Sequence, residues 1–388
     1  MRVFITGSAG FIGSNLVRAL TEDGHRVIGF DKLTYAARRD NLKDLEEDGC
    51  YELIVGDVCD KKALTNAIIN NNPRLVIHLA AESHVDRSIK DASNFISTNI
   101  NGTVNLCQIL AEQYRCPLFY FSTDEVMGEL TGTAETDGKF TPLSGIHPNS
   151  PYSASKAAGE MFVRAYKKTF NLITTIIRPT NNYGPYQHPE KFLPLMITRI
   201  LDNQYVPVYG EGAQMRHWLY VKDTCDAIKR LIYMQINDHR MPDLLLLGSE
   251  CPAISNLQLL AKVCEQMNVS RYDAAYFVFD RLAHDFRYEV DTSTTKAMIQ
   301  WQAKVDLTEG IKRTIEFYRD SDFMKFYRNN KEYNKWLRKQ YAGLPKKGKP
   351  SDELIAYPVN QETTDYIRFE DLDEQLAPLQ IVEYNDIE

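Results

Sequence analysis

The chain has 388 residues, 44% of them hydrophobic and 25% charged, with a formal charge of −7. That is enough for a sizeable core and for two domains, or one domain with a lobe and a tail, while the negative balance excludes a protein built to wrap nucleic-acid phosphates. No apolar run reaches the roughly 18 residues that cross a bilayer, and the N-terminal segment has neither the basic region nor the long apolar stretch of a secretory leader.

In chain order, residues 2–5 read as a first strand, 12–21 as a helix, 26–30 as a second strand and 52–55 as a third. A helix is expected at 61–71, a fourth strand at 75–79, a long helix at 91–113, a fifth strand at 117–122, a helix from Pro151 to 169 and a sixth strand at 172–178. The strands are continuously apolar and separated by helical stretches, which predicts an α/β fold: a doubly wound, Rossmann-type parallel sheet covered on both faces. Beyond residue 183 the pattern loosens, with Pro185, Pro189, Pro194 and Pro207 close together, and helical stretches return at 222–236, 255–267 and 307–319. A smaller, mixed α/β lobe is expected there.

Residues 349–388 hold 11 acids and 2 bases, so within a total of −7 the rest of the chain is close to neutral. The segment PKKGKPSD (345–352) reads as a linker. The acidic stretch beyond it is either a solvated extension or, through Tyr357, Tyr366, Ile367, Phe369 and Leu379, a segment that docks on the body or on a partner subunit. The seven cysteines are scattered, with no CxxC and no His/Cys cluster. Reduced thiols, a cytoplasmic location and no metal site are expected.

Gly7, Gly10 and Gly13 lie between the first strand and the first helix. Small residues let the chain turn sharply there and open the helix N-terminus to a pyrophosphate, although the spacing departs from G-x-G-x-x-G. Asp31, 18 residues past Gly13, ends the second strand. It suits the adenosine ribose hydroxyls and repels a 2′-phosphate, which favours NAD over NADP. Asp57 reads either as a contact to the adenine edge or as a cap of helix 61–71. Leu79-Ala80-Ala81 brings small residues beside the cofactor, and Ser83 and His84 come next, the histidine read as ordering its loop.

Tyr152 and Lys156 stand four apart on one helix face. A phenol is a poor base at neutral pH, but an adjacent ammonium and a positive nicotinamide favour its phenolate, which then takes the proton of a hydroxyl as hydride leaves the carbon. Ser122-Thr123-Asp124-Glu125 ends the fifth strand, where open parallel sheets bind ligands. Two carboxylates there point to an acid and a base, as elimination or isomerisation requires.

The segments TGSAGFIGS (6–14), DKLTYA (31–36), HLAAESHVDRSI (78–89), STDEV (122–126), NSPYSASKAAGE (149–160), NNYGPYQHPEK (181–191) and DRLAHDFRY (280–288) closely resemble the extended short-chain dehydrogenases/reductases, and within them the dTDP-glucose 4,6-dehydratases, over roughly residues 1–320. The resemblance implies an NAD-binding domain over 1–180, a lobe over 181–320 that mainly holds the nucleotide sugar and interleaves with it, and a helical and acidic extension over 321–388. It implies that Tyr152, assisted by Lys156, oxidises C4, that Thr123 holds the 4-hydroxyl, that Glu125 removes the C5 proton and that Asp124 protonates the departing C6 hydroxyl, with hydride returned to C6.

By the same resemblance, cofactor contacts extend to Phe11 and Ile12, to Asp31, Lys32, Leu33 and Thr34, to Asp57 and Val58, to Leu79, Ala80, Ala81 and Ser83, and to Thr98 and Asn182. Substrate contacts include Ser83, Thr123, Asn181, Lys191, Pro207, Val208, Tyr209, Arg216, Asn256, Arg281 and His284, the two arginines suiting a diphosphate. The resemblance further implies a homodimer built on helices 91–113 and 151–169, although Leu106, Ile109, Leu110, Met161 and Phe162 are equally suited to packing on the sheet. Three departures stand out: Met127 where Tyr is usual, His217 where Asp is usual, and Leu282-Ala283 in place of Pro-Gly. UDP-glucose 4,6-dehydratases share the chemistry and remain an alternative. Sugar epimerases and decarboxylases would lack the Asp-Glu pair, and a non-catalytic NAD-binding protein would have lost one of the reactive residues.

Overall fold

The computed structural model describes residues 1–132, 136, 138–341 and 344. Seven strands form one sheet: β1 (Arg2–Thr6), β2 (Arg26–Asp31), β3 (Tyr51–Val55), β4 (Leu75–His78), β5 (Leu118–Phe121), β6 (Thr174–Pro179) and β7 (Leu244–Leu247). They lie in the order β7-β6-β5-β4-β1-β2-β3 and all pair in parallel. The winding reverses beside β1, so the carboxyl ends of β1 and β4 open a crevice for a ligand.

Helices of eight or more residues are α1 (Phe11–Glu22), α2 (Lys61–Asn71), α3 (Thr103–Glu112), α4 (Pro151–Phe170), α5 (Phe192–Leu201), α6 (Val221–Ile236), α7 (Asn256–Met267), α8 (Leu307–Asp320), α9 (Asp322–Asn329) and α10 (Lys331–Gln340). Alternate residues of β1 supply the two sheet faces. Val3 and Ile5 pack with Leu16 and Leu20 of α1 and with Ile228 and Leu231 of α6. Phe4 packs on the opposite side with Leu64 and Ile68 of α2 and with Leu106, Ile109 and Leu110 of α3. Each such side chain, fully buried, contributes about 1.5–3 kcal/mol of transfer free energy. Leu106, Ile109 and Leu110 are thereby committed to the sheet and are not available to a partner.

The lobe is built from α5, α7 and α8 around a core of its own, with short ladders pairing Val206–Tyr209 to Ala275–Val278 and Met215–Arg216 to Ile254–Ser255. Three elements differ from what the sequence suggests. In α5, Pro194 occupies the first turn, where its missing N–H costs nothing, so the prolines that suggest a loop partly belong to a helix. β7 is a four-residue apolar run, too short to show a period. The stretch expected as one helix over 91–113 is broken: a short turn at Ser93–Phe95, a π-helical run at Ile96–Gly102, then α3. Asn99 in that run bonds the Glu82 backbone at both N and O and donates to Ser155 Oγ of α4. No described helix is long and apolar enough to cross a membrane, and among the described residues no cluster of His, Cys, Asp and Glu suits a metal.

Candidate active site

The turn after β1 is shaped by two glycines. Gly7 has φ +72°, and a Cβ there would meet Ala80 N at 2.6 Å; a Cβ on Gly13 would meet Gly7 O at 2.1 Å. Only glycine fits either position. Gly10 is the N-cap of α1 and offers no side-chain cap, leaving the first N–H groups of the helix open toward the cleft. Asp31 ends β2 and is buried; its Oδ2 accepts from Ala9 N at 2.9 Å and its Oδ1 from Leu33 N at 2.8 Å. Burial pushes its carboxyl up, against the pull of those two amides. Asp57 bonds Lys32 Nζ at 2.7 Å and Cys59 N at 2.9 Å. The helix cap is Asp60, not Asp57, since Asp60 accepts from Ala63 N at 3.0 Å.

One cleft runs from these residues to the reactive group. Gly7, Gly10, Phe11, Ile12, Gly13, Asp31, Lys32, Thr34, Asp57, Val58, Leu79, Ala80, Ala81, Ser83, Thr98, Asn182, Tyr152 and Lys156 all line it, as do Thr123, Asp124, Glu125, Asn181 and Lys191. Among the expected cofactor contacts Leu33 is the exception: it does not line the cleft, its φ of 55° is left-handed, and its N–H turns back onto Asp31. The cleft also takes in Glu82, Gln187, His188 and Glu190. The sequence alone assigns these no role, and only the dense run of polar and ring side chains at 187–191 hints at them.

The reactive end is largely buried. Ser150 and Ser153 form a capping box that starts α4, with Pro151 in its first turn, so Tyr152 and Lys156 face inward. Lys156 Nζ donates to Phe121 O at 2.6 Å. Burial lowers its pKa to about 8, partly offset by Glu160, which itself pairs with buried Arg178. Tyr152 is raised well above 10, first by burial and then by Glu125, against a hydrogen bond with Thr123. Asp124 is 2% exposed. Burial and then Glu125 raise its pKa to about 7; Thr123 Oγ1 donates to its Oδ1 at 3.2 Å, while Oδ2 has no partner. Burial also raises Glu125, but Arg281, Arg216 and Lys191 pull it down. Adjacent carboxylates are thus differentiated, one held for a proton and one facing three cations.

Of the lobe residues expected at the substrate, Asn181 and Lys191 line the cofactor cleft, whereas Pro207, Val208, Tyr209, Arg216, Asn256, Arg281 and His284 do not. Tyr209 donates to Asp86 Oδ2 at 3.3 Å, Arg281 lies 3.8 Å from Asp86, and His284 lies 2.5 Å from Asp280. Pro207 and Val208 are buried in their strand, Val208 in the lobe core. Asn256 is buried at the start of α7. Arg216 donates to the carbonyls of Met215, Phe286 and Asp285 and lies 4.4 Å from the Tyr288 ring, so three of its donors are occupied. The departures from the usual motif are accommodated locally. Met127 fills an apolar cluster with Phe140 and Val290, and buried His217 bonds Ser249 O at 2.9 Å and accepts from Val290 N at 3.4 Å. Ala283 has φ 50°, a left-handed position that glycine takes more readily. His84 is neutral, pushed down to about 2 by burial, and stands against Trp336.

This fold and cleft define an oxidoreductase-type dinucleotide site on a doubly wound sheet. Residues 3–240 match the NAD dependent epimerase/dehydratase family, and the chain belongs to it. Within that family its kinship is with the dTDP-glucose 4,6-dehydratases. It is 39% identical over 334 residues to the probable dTDP-glucose 4,6-dehydratase of Sinorhizobium fredii, covering 82% of this chain and 93% of that protein. It is 35% identical over 369 residues to dTDP-glucose 4,6-dehydratase 1 of Escherichia coli, covering 88% and 99%. The crystal structure of DesIV, the dTDP-glucose 4,6-dehydratase of Streptomyces venezuelae, with NAD and TYD bound, superimposes with a TM-score of 0.76 at 36% identity, covering 82% of this chain and 97% of that one.

Proposed function

We propose that the chain converts dTDP-glucose to its 4-keto-6-deoxy product plus water. The observation that carries this reading is the Asp124–Glu125 pair at the end of β5, Asp124 buried and Glu125 partly so, beside Tyr152 and on the wall of a dinucleotide cleft. NAD fits the cleft: a glycine turn that no Cβ can enter, an uncapped helix N-terminus and Asp31 at the ribose position. When bound, it supplies the hydride acceptor for C4 and the hydride that C6 receives.

The chain's own residues move the protons. Thr123 orients the 4-hydroxyl and Tyr152 removes its proton, with Lys156 held on the Phe121 carbonyl nearby. The new C4 carbonyl acidifies the C5–H. Glu125, whose carboxyl is raised by burial and pulled back down by Arg281, Arg216 and Lys191, takes that proton, and Asp124, protonated below about pH 7, gives one to the leaving C6 hydroxyl, so water departs. Glu125 then returns its proton to C5. An epimerase needs only the tyrosine step, and nothing in it calls for two carboxylates.

The choice of thymine over uracil rests on the relatives named above; the bases differ by one methyl, whose burial contributes about 1 kcal/mol. The same reading makes the chain a cytoplasmic homodimer, supported by Met161 and Phe162 standing 41% exposed on α4 and by seven free cysteines. Incubation with dTDP-glucose and with UDP-glucose, followed by mass spectrometry, tests the assignment. Loss of one water with a higher kcat/KM for dTDP-glucose is expected. An unchanged mass means an epimerase, and a preference for UDP-glucose overturns the nucleotide.

A further inference from the structure

Glu190 lines the cleft, yet no step of the reaction uses it. Its side chain is 1% exposed, so its charge must be matched inside the protein. Arg87 Nη2 donates to Oε2 at 3.2 Å, His84 Nε2 lies 3.7 Å from the same oxygen, and His188 Nδ1 lies 3.7 Å from Oε1. Both rings are neutral, pushed down to about 2 and about 3 chiefly by burial. Burial raises the Glu190 carboxyl, against the pull of Lys191 and Arg87. Arg87 in turn lies over the Tyr35 ring, its guanidinium 3.9 Å from the ring centre.

Glu190, on the stretch that holds His188, and Arg87, stacked on Tyr35, thus join three separate stretches of the cleft wall. Residues adjoining each stretch, such as Thr34, Ser83 and Lys191, face the cleft. The C-terminal helices close over this knot. Trp336 of α10 stands edge-on to His84 at 5.9 Å and 5.7 Å from Arg87. Tyr327 of α9 and Tyr333 of α10 flank His188 at 4.8 and 5.7 Å, and Tyr333 donates to Pro189 O at 3.3 Å.

We propose that Glu190 is a positioning residue for the dinucleotide, and that its carboxylate together with the α9–α10 pair clasps the loops walling the cleft, so that the C-terminal helices set how firmly NAD is held. The inference rests on the reading of the cleft as an NAD site that regenerates its cofactor in every cycle. Such a cofactor has no need to leave, and a clasp that slows its departure suits it.

The test is calorimetric titration of the cofactor-stripped full-length protein with NAD, for the parent, Glu190→Gln, Trp336→Ala and Trp336→Phe. Affinity about tenfold or more weaker is expected for Glu190→Gln, as for loss of a buried residue that orients binding groups. Trp336→Ala is expected to weaken binding roughly three- to tenfold and Trp336→Phe to restore it. For the Trp336 variants kcat at saturating NAD stays near the parent value while the NAD concentration needed to saturate rises. If Glu190→Gln does not fold, the half-buried Trp336 pair decides the question alone. NAD affinities within twofold of the parent in folded variants overturn the proposal, including when melting temperatures fall, since that pattern marks a merely structural role. A parent that binds NAD but dehydrates no nucleotide sugar sinks the dehydratase reading and leaves this titration valid.

Discussion

Asp124 and Glu125 are neighbours in sequence with unequal surroundings, and the difference has a pH signature. The Asp124 carboxyl is lifted from an ordinary 3.8 to about 7. As an acid it works only when protonated, so activity falls as pH rises through that value, in a limb that belongs to the carboxylate pair jointly. The folded state takes up a proton that the unfolded chain lacks between these two values. Stability associated with the neutral buried acid is therefore complete below 3.8 and is lost as pH rises through about 7. Asp124→Asn is expected to melt above the parent at pH 8, by an amount on the order of a few kcal/mol, to match it near pH 4, and to turn over ~10²–10⁴ times more slowly; thermal melts across that range check the sign. Glu125→Gln is expected to oxidise C4 yet leave C5–H unexchanged in heavy water, and rapid deuterium uptake would remove Glu125 as the base. These residue types and spacings were legible in the chain. Their burial was not: the sequence suggests that Lys156 draws the Tyr152 pKa down, whereas in the structure Lys156 is turned to Phe121 O and burial drives the phenol up. A phenolate at Tyr152 therefore needs positive charge beyond that of Lys156, which a bound nicotinamide ring would bring.

Among the elements, the strand–turn–helix at the N-terminus shows how much a motif can say. Its three glycines look equivalent in sequence, yet a Cβ at Gly10 meets nothing nearer than Gly7 O at 3.4 Å while one at Gly13 falls 2.1 Å from the same atom. Gly13→Ala is expected to lower the melting temperature, by a destabilisation of about 1–3 kcal/mol or more, and to abolish NAD binding. Gly10→Ala is expected to keep the parent's melting temperature, and equal melting of the two variants would contradict the difference in packing. The strands β1 to β6, α2 and α4 follow from apolar runs and capping residues that lie within the local sequence. The π-helical run does not, because Ile96–Gly102 is held by distant partners: Asn99 bonds Glu82 and Ser155, neither of which its own window contains. Nor does the knot around Glu190, whose members are up to 155 residues apart in the chain, from Tyr35 to Glu190.

For the whole molecule, the exposed apolar side chains of α4 predict association. Met161→Glu combined with Phe162→Glu is expected to convert a dimer to monomer in sedimentation at micromolar concentration, and a parent that sediments only as monomer would refute the dimer. The acidic stretch 349–388 and its linker lie outside the described residues, so the alternatives of docked segment and solvated extension are decided by cutting. A chain ending at Leu344 is expected to keep its turnover number, and a hundredfold loss would give the tail a role in the reaction.

The order in which the sheet is assembled carries a cost in time. β6 ends at Pro179, but its neighbour β7 begins only at Leu244, and the helix α6 that covers Val3, Ile5 and Leu16 spans Val221–Ile236. A ribosome adding roughly 5–20 residues per second takes several seconds to traverse that gap. Throughout it the nascent sheet has an open β6 edge and one apolar face without its full cover, the condition in which strand edges attract other chains. The cleft is thus completed late in synthesis, and a chain released early, near residue 180, is expected to aggregate rather than persist as a small dinucleotide-binding protein, which pelleting of a 1–180 fragment beside a soluble full-length chain would reveal.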